Sequence, residues 1–202
     1  MEQLDSLFAS FPQLETERFV LRETRPTDVE AILACYGDDE VMRYYDADTF
    51  TDIQQAARVV TTRRTRYQNK RGVRWTIATK DNDLANRDWA IGSIGFHAIV
   101  RHYFKVEVGY ELSRAYWRQG VMTEVLTAVC QYAFNQLGFN RIEALVMPGN
   151  VASLQLLEKL GFQNEGLLRE YGYWKGAFHD LYMLSLLNRD AISAKGDISK
   201  AL

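Results

Sequence analysis

The sequence predicts an α+β domain with a mixed, mostly antiparallel sheet and helices on both faces. Three observations support this fold class. Strand-like segments with short connections lie in succession before residue 113, a pattern typical of an antiparallel meander. Apolar residues then recur every four positions from Val121, which predicts a long amphipathic helix. A strand, a second helix and an aromatic-rich hairpin follow it.

Alternation and turn signals define the elements of the first half. Strands are predicted at 18–22, 73–79, 89–99 and 105–112. Helices are predicted between Pro26 and Gly37, over 39–45, and from Thr51 to about Gln68. Thr27 is placed to cap the first helix, and Gly37 to end it. The polar segment 80–88 has the composition of a turn.

Glycine, proline and asparagine delimit the elements of the second half. Gly138 is expected to close the long helix, and Pro148 ends a short strand that follows it. Asn150 is expected to cap the next helix, and Gly161 to close it. The hairpin strands are predicted at 166–174 and 178–187. Residues 1–13 are expected to be a loosely attached lead-in, 14–188 a single domain and 189–202 a polar tail.

Composition excludes several classes of protein. A chain of 202 residues that is 47% hydrophobic is long enough for one globular domain and is not a disordered polymer. Its net charge of −2 argues against nucleic-acid binding through overall charge. Cys35 and Cys130 lie in apolar helical patterns and are expected to be buried thiols. No apolar run approaches ~18 residues and the N-terminus lacks a basic start, so a cytoplasmic protein without a membrane span is expected.

The segment from Tyr116 to Glu124 joins a strand to a helix and has the features of an anion site. A helix start leaves backbone N–H groups unpaired and carries partial positive charge. Gly120 would let a phosphate approach the backbone, and Arg118 adds a full positive charge. On the alternative interpretation, Gly120 only eases the entry of the chain into a buried helix.

Asn150 and Ser153 form a second candidate segment. Asn150 is most simply explained as the helix cap, a role that leaves part of its amide free to contact a ligand. Ser153 lies in the first turn, where serine is common for structural reasons alone. Both the structural and the ligand-binding interpretation stay open for these two residues.

Taken together, several segments resemble the GNAT superfamily of acyl-CoA-dependent N-acetyltransferases, and in particular its branch of ribosomal-protein N-terminal acetyltransferases. The matching segments are 14–22, 106–112, 117–124, 150–154, 158–162, 165–166 and 179–182. The resemblance covers roughly 14–188. It implies the GNAT fold, acetyl-CoA as the acyl donor and a primary amine as the acceptor.

The resemblance also implies which residues bind acetyl-CoA. They are Leu112, Trp117, Arg118, Gln119, Gly120, Val121, Met122, Thr123, Asn150 and Ser153. The backbone near Leu112 would pair with the pantetheine arm, and the loop would take the pyrophosphate. The family loop, Arg/Gln-x-x-Gly-x-Gly/Ala, is matched here only at its central Gly120, because Trp117 and Met122 stand at the other two places. Its backbone contacts are therefore better defined than its side-chain contacts.

Two carboxylates are candidates for the base that removes the proton of the amine. Glu107 is the expected base, because it lies in the strand before the loop at a position resembling the base of some relatives. Glu111 is the alternative, and a structural role as a solvent-facing strand residue is open for both. A base glutamate of some branch members falls on Gly172 here, so that role is not transferred, although Glu170 is close by.

The departing thiolate is the second chemical problem. Many superfamily members place a tyrosine acid where this chain has Leu157, so Ser153 is expected to assist the thiolate instead. Backbone N–H groups where strands splay would stabilise the oxyanion. The three histidines, His97, His102 and His179, lack metal-ligand spacing, and no metal is implied.

Residues 53–80 contain eight basic side chains and no acid, which leaves the rest of the chain at net −10. The eight are Arg58, Arg63, Arg64, Arg66, Lys70, Arg71, Arg74 and Lys80. One interpretation is a solvated helix face. The other is weak contact of the basic segment 58–80 with RNA or an acidic partner.

These observations favour transfer of an acetyl group from acetyl-CoA to a primary amine within a ternary complex. The favoured acceptor is the N-terminal α-amine of a protein, such as a ribosomal protein. A small amine, such as an antibiotic or a polyamine, is the alternative acceptor. A non-catalytic acyl-CoA sensor and an RNA-binding module are the alternatives outside enzymology.

Overall fold

A computed structural model describes residues 6–80 and 88–191 of the chain. Within these ranges the strands are β1 (Leu14–Glu15), β2 (Phe19–Arg22), β3 (Val73–Thr79), β4 (Ala90–Val100), β5 (Lys105–Leu112), β6 (Arg141–Val146), β7 (Gln163–Trp174) and β8 (Ala177–Leu187). They form one sheet in the order β1-β2-β3-β4-β5-β6-β8-β7. Only β5 and β6 pair in parallel among these neighbours. The predicted α+β fold with a mixed, mostly antiparallel sheet is confirmed.

The helices that matter for the site lie between the strands. They are α1 (Val29–Tyr36), α2 (Asp39–Met42), α3 (Ile53–Gln68), α4 (Val121–Asn135) and α5 (Val151–Lys159). The Asp52 side chain caps α3 by accepting from the Gln54 N–H, and Asn150 caps α5 as the sequence predicts. Gly161 follows α5 with φ +88°, a left-handed conformation that glycine adopts without strain.

Apolar side chains divide between two clusters. The main core joins the sheet to α4, with Val106 and Val108 of β5 packed beside Val125 and Val129. A smaller cluster lies among α1, α2 and α3. The opposite face of β5 contacts α3 through Glu111, so helices cover both faces of the sheet as predicted. Cys35 and Cys130 are buried free thiols, also as predicted.

The parallel pair β5–β6 is the feature that opens the sheet. Its register contains only the pairs of 105–107 with 141–143, and Glu107 opposite Glu143 is the last of them. β5 continues to Leu112 along β4, and β6 continues to Val146 along β8, without pairing to each other. The two strands therefore diverge into a fork directly after Glu107.

Two expectations for the first half are wrong. Residues 6–13 are not loosely attached: Leu7 is 0% exposed, its carbonyl accepts from the Tyr67 hydroxyl, and the Pro12 carbonyl accepts from the Trp75 indole. Thr27 does not cap a helix, because it lies inside a 3-10 turn, Pro26–Asp28, that precedes α1. The buried Arg22 guanidinium binds both carboxylate oxygens of Asp28 and fixes this turn.

Several element boundaries differ by a few residues from the prediction. The strand predicted at 18–22 begins at Phe19, and a two-residue strand, β1, precedes it. The helix predicted over 39–45 ends at Met42, and β7 begins at Gln163. Residues 81–87 of the predicted turn and 192–202 of the predicted tail lie outside the described residues. No helix within the described part of the chain is long and apolar enough to cross a membrane.

Candidate active site

A cleft of about 1700 Å³ runs along the fork of the sheet. Its walls come from the divergent parts of β5 and β6, the starts of α4 and α5, and one face of α3. Residues of the β7–β8 hairpin close one side. Of the ten residues predicted to bind acetyl-CoA, nine line this cleft, and Gln119 does not.

The loop before α4 has the geometry of an anion cradle. Gly120 is its N-cap residue with φ +73° and no side chain in front of the helix start. A Cβ added at Gly120 would meet only the Arg18 guanidinium, at 3.6 Å, so the space before the backbone is open. Arg18 also donates to the Gln119 carbonyl and pairs with Glu124 at 2.7 Å. It therefore holds the loop from outside, a role that the sequence analysis missed.

Trp117 connects this loop to the end of β5. Its indole N–H donates to the Leu112 carbonyl at 2.7 Å. Arg118 is exposed and lines the cleft in a left-handed conformation with φ +58°. Gln119 points elsewhere, because its amide donates to the Ala115 carbonyl. The loop thus offers backbone N–H groups and one cationic side chain to an anion.

Ser153 and Tyr110 meet on the α5 side of the cleft. The Asn150 side-chain oxygen accepts from the Ser153 N–H at 3.2 Å, so the cap orients the first turn of α5. The Ser153 hydroxyl lies 2.6 Å from the Tyr110 hydroxyl. Burial raises the pKa of Tyr110 to about 12, and the hydrogen bond with Ser153 opposes part of that increase. Tyr110 was missed as a functional candidate, although it stands in the matched segment of β5.

Glu107 lies on the other face of β5, at the mouth of the fork. Its carboxylate is hydrogen-bonded to Nε2 of His97, with 2.7 Å between Oε1 and the ring nitrogen. Both side chains line the cleft and stay partly accessible, His97 at 39% and Glu107 at 19%. Glu107 is thus neither buried nor isolated, and its carboxylate is accessible from the cleft.

Glu111, the alternative base, is buried with its side chain 3% exposed. Arg74 binds one of its oxygens, and Arg63 donates to the other at 3.1 Å. The Ser93 hydroxyl donates to that second oxygen as well. Burial tends to raise the pKa of Glu111, but the charges of Arg74 and Arg63 outweigh it and lower the pKa overall. A carboxylate held ionised in this way is a poor proton acceptor, so the geometry favours a structural role.

The basic segment 58–80 is therefore not a uniform solvated face. Arg63 and Arg74 belong to the buried cluster around Glu111. Lys80 pairs with Glu15 at 2.9 Å. The basic residues of the segment that remain exposed are Arg58, Arg64, Arg66, Lys70 and Arg71.

The remaining candidate positions are explained by packing. Leu157 is 0% exposed in the main core, so no hydroxyl is presented there. Gly172 lines the cleft, but a Cβ on it would lie 2.1 Å from the Trp174 ring, so the indole occupies the space of a side chain. Glu170 is exposed outside the cleft lining. The described residues contain no group of three or more His, Cys, Asp or Glu side chains that could hold a metal.

Comparison with known proteins identifies the family. Residues 18–163 match the acetyltransferase (GNAT) domain. The chain is 43% identical over 177 residues to YoaA, an uncharacterized N-acetyltransferase of Bacillus subtilis (strain 168), a match covering 88% of this chain and 97% of YoaA. The crystal structure of a GNAT-family acetyltransferase from Bacillus anthracis superposes with a TM-score of 0.75 at 23% identity, covering 88% of this chain and 99% of that one.

A third relative is similar over part of its length. The [ribosomal protein uS5]-alanine N-acetyltransferase of Escherichia coli (strain K12) is 34% identical over 101 residues, which are 50% of this chain and 52% of that enzyme. The fold and the family match define the class of the protein as an acyltransferase. The chain belongs to the GNAT family of acetyltransferases, and its activity is acetyl-CoA-dependent N-acetyl transfer.

Proposed function

We propose that this N-acetyltransferase acts on the N-terminal α-amine of a protein. The observation that carries the proposal is the size of the cleft, about 1700 Å³. Sites for small molecules usually enclose ~300–1,000 Å³. The excess leaves room for an extended acceptor beside the donor. Tyr171, 56% exposed on the cleft wall, offers the aromatic surface that suits a peptide.

The acidity of amines favours an α-amine over a lysine. Only a neutral amine can attack a thioester. At pH 7.5 an α-amine with pKa ~8 is roughly one-quarter neutral, whereas a lysine with pKa ~10.4 is neutral in roughly one molecule in 800. A large fraction of an α-amine is therefore already neutral and able to attack, so the accessible Glu107 is a sufficient base for such an acceptor.

We propose that Glu107 is the base that removes a proton from the amine. As the nitrogen bonds to the thioester carbon, the carbon–sulfur bond breaks and the nitrogen must lose one proton. Glu107 takes that proton directly or through one water molecule, because it lies where the sheet opens. Unpaired backbone N–H groups of the fork are available to the oxyanion.

We propose that the Ser153 hydroxyl, oriented by Tyr110, stabilises the departing thiolate. An ordinary thiol has pKa ~8.5. Proton transfer from Tyr110, whose pKa is about 12, would therefore be uphill by ~3.5 pKa units, or ~5 kcal/mol. The pair therefore stabilises the thiolate by hydrogen bonding, and water supplies the proton afterwards.

A ribosomal protein is the proposed class of acceptor. Its support is the partial similarity to the uS5-alanine acetyltransferase. The name of YoaA, which is similar over nearly its full length, specifies no acceptor, so the acceptor is to be identified by experiment.

The test compares matched acceptors with the purified full chain and acetyl-CoA. One peptide carries a free α-amine, a second has the same sequence with a blocked N-terminus and an internal lysine, and spermidine and an aminoglycoside represent small amines. Mass spectrometry locates the acetyl group, and thiol release gives kcat/KM. We expect the free α-amine peptide to exceed the blocked peptide by at least about tenfold. A higher kcat/KM for either small amine would overturn the proposal.

A second arm identifies the natural acceptor. N-terminal acetylation is compared by mass spectrometry in cells with and without the gene. Loss of acetylation at one or more ribosomal-protein N-termini is expected. Unchanged N-termini throughout the proteome would refute the protein acceptor.

A further inference from the structure

One face of α3 lines the cleft, and the exposed edge of that face is basic. Its cleft-lining residues are Gln55, Arg58, Val59, Thr62, Arg63 and Arg66. Arg58, Thr62 and Arg66 are exposed and recur every four positions, so they lie in one row along the helix. We call this row the arginine stripe. Its two arginines are about 12 Å apart along the helix axis, at ~1.5 Å per residue.

The two arginines of the stripe are not held by carboxylates. In the part of the chain that the structure describes, no Asp or Glu side chain forms an ion pair with Arg58 or Arg66. The Arg66 guanidinium donates to the His97 carbonyl at 3.3 Å, a neutral partner. Both positive charges therefore remain available to a group that enters the cleft.

The acidic residues of the cleft lining do not neutralise the stripe by direct contact. Glu111 is bound by its own arginines inside the wall, and Glu40 pairs with Arg43 at 2.5 Å. Glu107 is the proposed base. Asp46 is exposed on the cleft wall and, among the described residues, pairs with neither arginine of the stripe. A bound acceptor would thus meet the two guanidinium groups directly.

The stripe begins beside the proposed base and leads away from it. Arg66 contacts the carbonyl of His97, and the ring of His97 is hydrogen-bonded to Glu107. Arg58 lies two helical turns further along α3. An extended peptide advances ~3.3 Å per residue, so the stripe spans about four residues of such a chain. An acceptor whose α-amine reaches Glu107 would run along the stripe with the residues that follow.

We propose that the arginine stripe selects acceptors that carry carboxylate side chains just after the α-amine. The inference rests on the proposed protein acceptor and narrows its class to acidic N-termini. Asp or Glu side chains at about positions 2 to 5 of the acceptor would pair with Arg58 and Arg66. The same charges would disfavour basic N-termini and polycationic amines, because like charges brought together oppose binding.

The test uses three peptides that share their length, first residue and free α-amine and contain no lysine. They carry glutamate, glutamine or arginine at positions 2 and 5, and thiol release with acetyl-CoA gives kcat/KM for each. We expect the glutamate peptide to exceed the glutamine peptide by about five- to tenfold, the combined effect of two exposed ion pairs, and the arginine peptide to be the poorest. Raising the salt from ~50 mM to ~500 mM should remove most of this difference.

Charge reversal locates the preference on the molecule. Arg58→Glu should reduce the preference for the glutamate peptide, and Arg58→Glu/Arg66→Glu should make the arginine peptide the better substrate. The matched control is Arg64→Glu/Lys70→Glu, which changes the net charge equally but lies outside the cleft lining and should keep the wild-type order. Melting temperatures show whether each variant is folded. Arg58→Glu is the variant that separates charge from structure, because the Arg58 side chain makes no hydrogen bond or ion pair to the described residues.

The outcomes distinguish this inference from the proposed function. Equal kcat/KM for the glutamate and glutamine peptides in the wild type, or an unchanged preference in both folded stripe variants, would overturn the inference and leave the α-amine acceptor standing. If none of the three peptides is acetylated, the proposed protein acceptor fails and the inference fails with it. If the stripe variants lose binding to ribosomal RNA but keep the wild-type order of peptides, the stripe is an RNA contact and the inference is refuted.

Discussion

Removing one hydroxyl at a time from the Tyr110–Ser153 pair should slow the chemical step by two different amounts. The two oxygens are 2.6 Å apart and both line the cleft. Ser153→Ala removes the group assigned to the thiolate. Tyr110→Phe keeps the ring in the core and removes only the hydroxyl that orients Ser153.

The magnitudes follow from the kind of hydrogen bond that is lost. A hydrogen bond to a charged group is worth ~1.5–3 kcal/mol, and one between neutral groups ~0.5–1.5 kcal/mol. Ser153→Ala should therefore slow transfer by about tenfold, the lower end, because only part of the charge has developed in the transition state. Tyr110→Phe should slow it by roughly 2–10-fold. Because Tyr110 acts only through Ser153, the double variant should resemble Ser153→Ala alone.

The assay is single-turnover thiol release, which excludes product release from the measured rate. Thr127→Ala on the exposed face of α4 and Tyr132→Phe in the core are matched controls, since neither lines the cleft. Melting temperatures show whether the fold is intact. Additive losses in the double variant would mean that the two hydroxyls act independently. Normal rates in all three folded variants would mean that the thiolate leaves without their help.

Three further predictions use the loop, a surface ion pair and the basic segment. Acetyl-CoA should raise the melting temperature of the wild type but not that of Gly120→Glu. The control is Gly176→Glu, because Gly176 has a similar left-handed backbone but lies outside the cleft lining, and its melting temperature should still rise. Binding of acetyl-CoA by folded Gly120→Glu would refute the anion cradle. Hydrogen bonds from Arg141 and Ser185 lower the pKa of Glu165 to about 2, so its stabilisation is complete above ~pH 5 and is lost towards pH 2; urea unfolding should show a smaller deficit for Glu165→Gln at pH 3 than at pH 7, and equal deficits would contradict this. Any RNA contact should use exposed basic residues, so the double variant Arg64→Glu/Lys70→Glu should weaken a low-salt gel shift with ribosomal RNA, and no shift in the wild type would exclude such contact.

Sequence patterns predicted correctly those elements whose structure depends on residues close together in the chain. The strands Val73–Thr79 and Lys105–Leu112 were predicted to the residue, because alternation reports which side chains face the core. Asn150 was predicted as a cap because its side chain satisfies an N–H only three residues away. Thr27 was predicted wrongly, because the buried Arg22–Asp28 ion pair determines the local turn.

Contacts between distant parts of the chain could not be read in this way. Leu7 lies in a segment without periodicity, and only the assembled sheet shows the core site that it fills. Arg63 and Glu111 are 48 positions apart, and no pattern links them. The contact of His97 with Glu107 depends on a bulge, which alternation alone does not reveal.

The fork after Glu107 also has a mechanical consequence. Three residue pairs join the half of the sheet containing β1–β5 to the half containing β6, β7 and β8. Beyond these pairs, the edges of β5 and β6 that face the fork have no strand partner. An amide group of acetyl-CoA lying between them would hydrogen-bond to both strands while it is bound. The acyl donor would thereby add hydrogen bonds between the two halves of the sheet. Amide-exchange protection should accordingly rise together in 108–112 and 144–146 when acetyl-CoA binds.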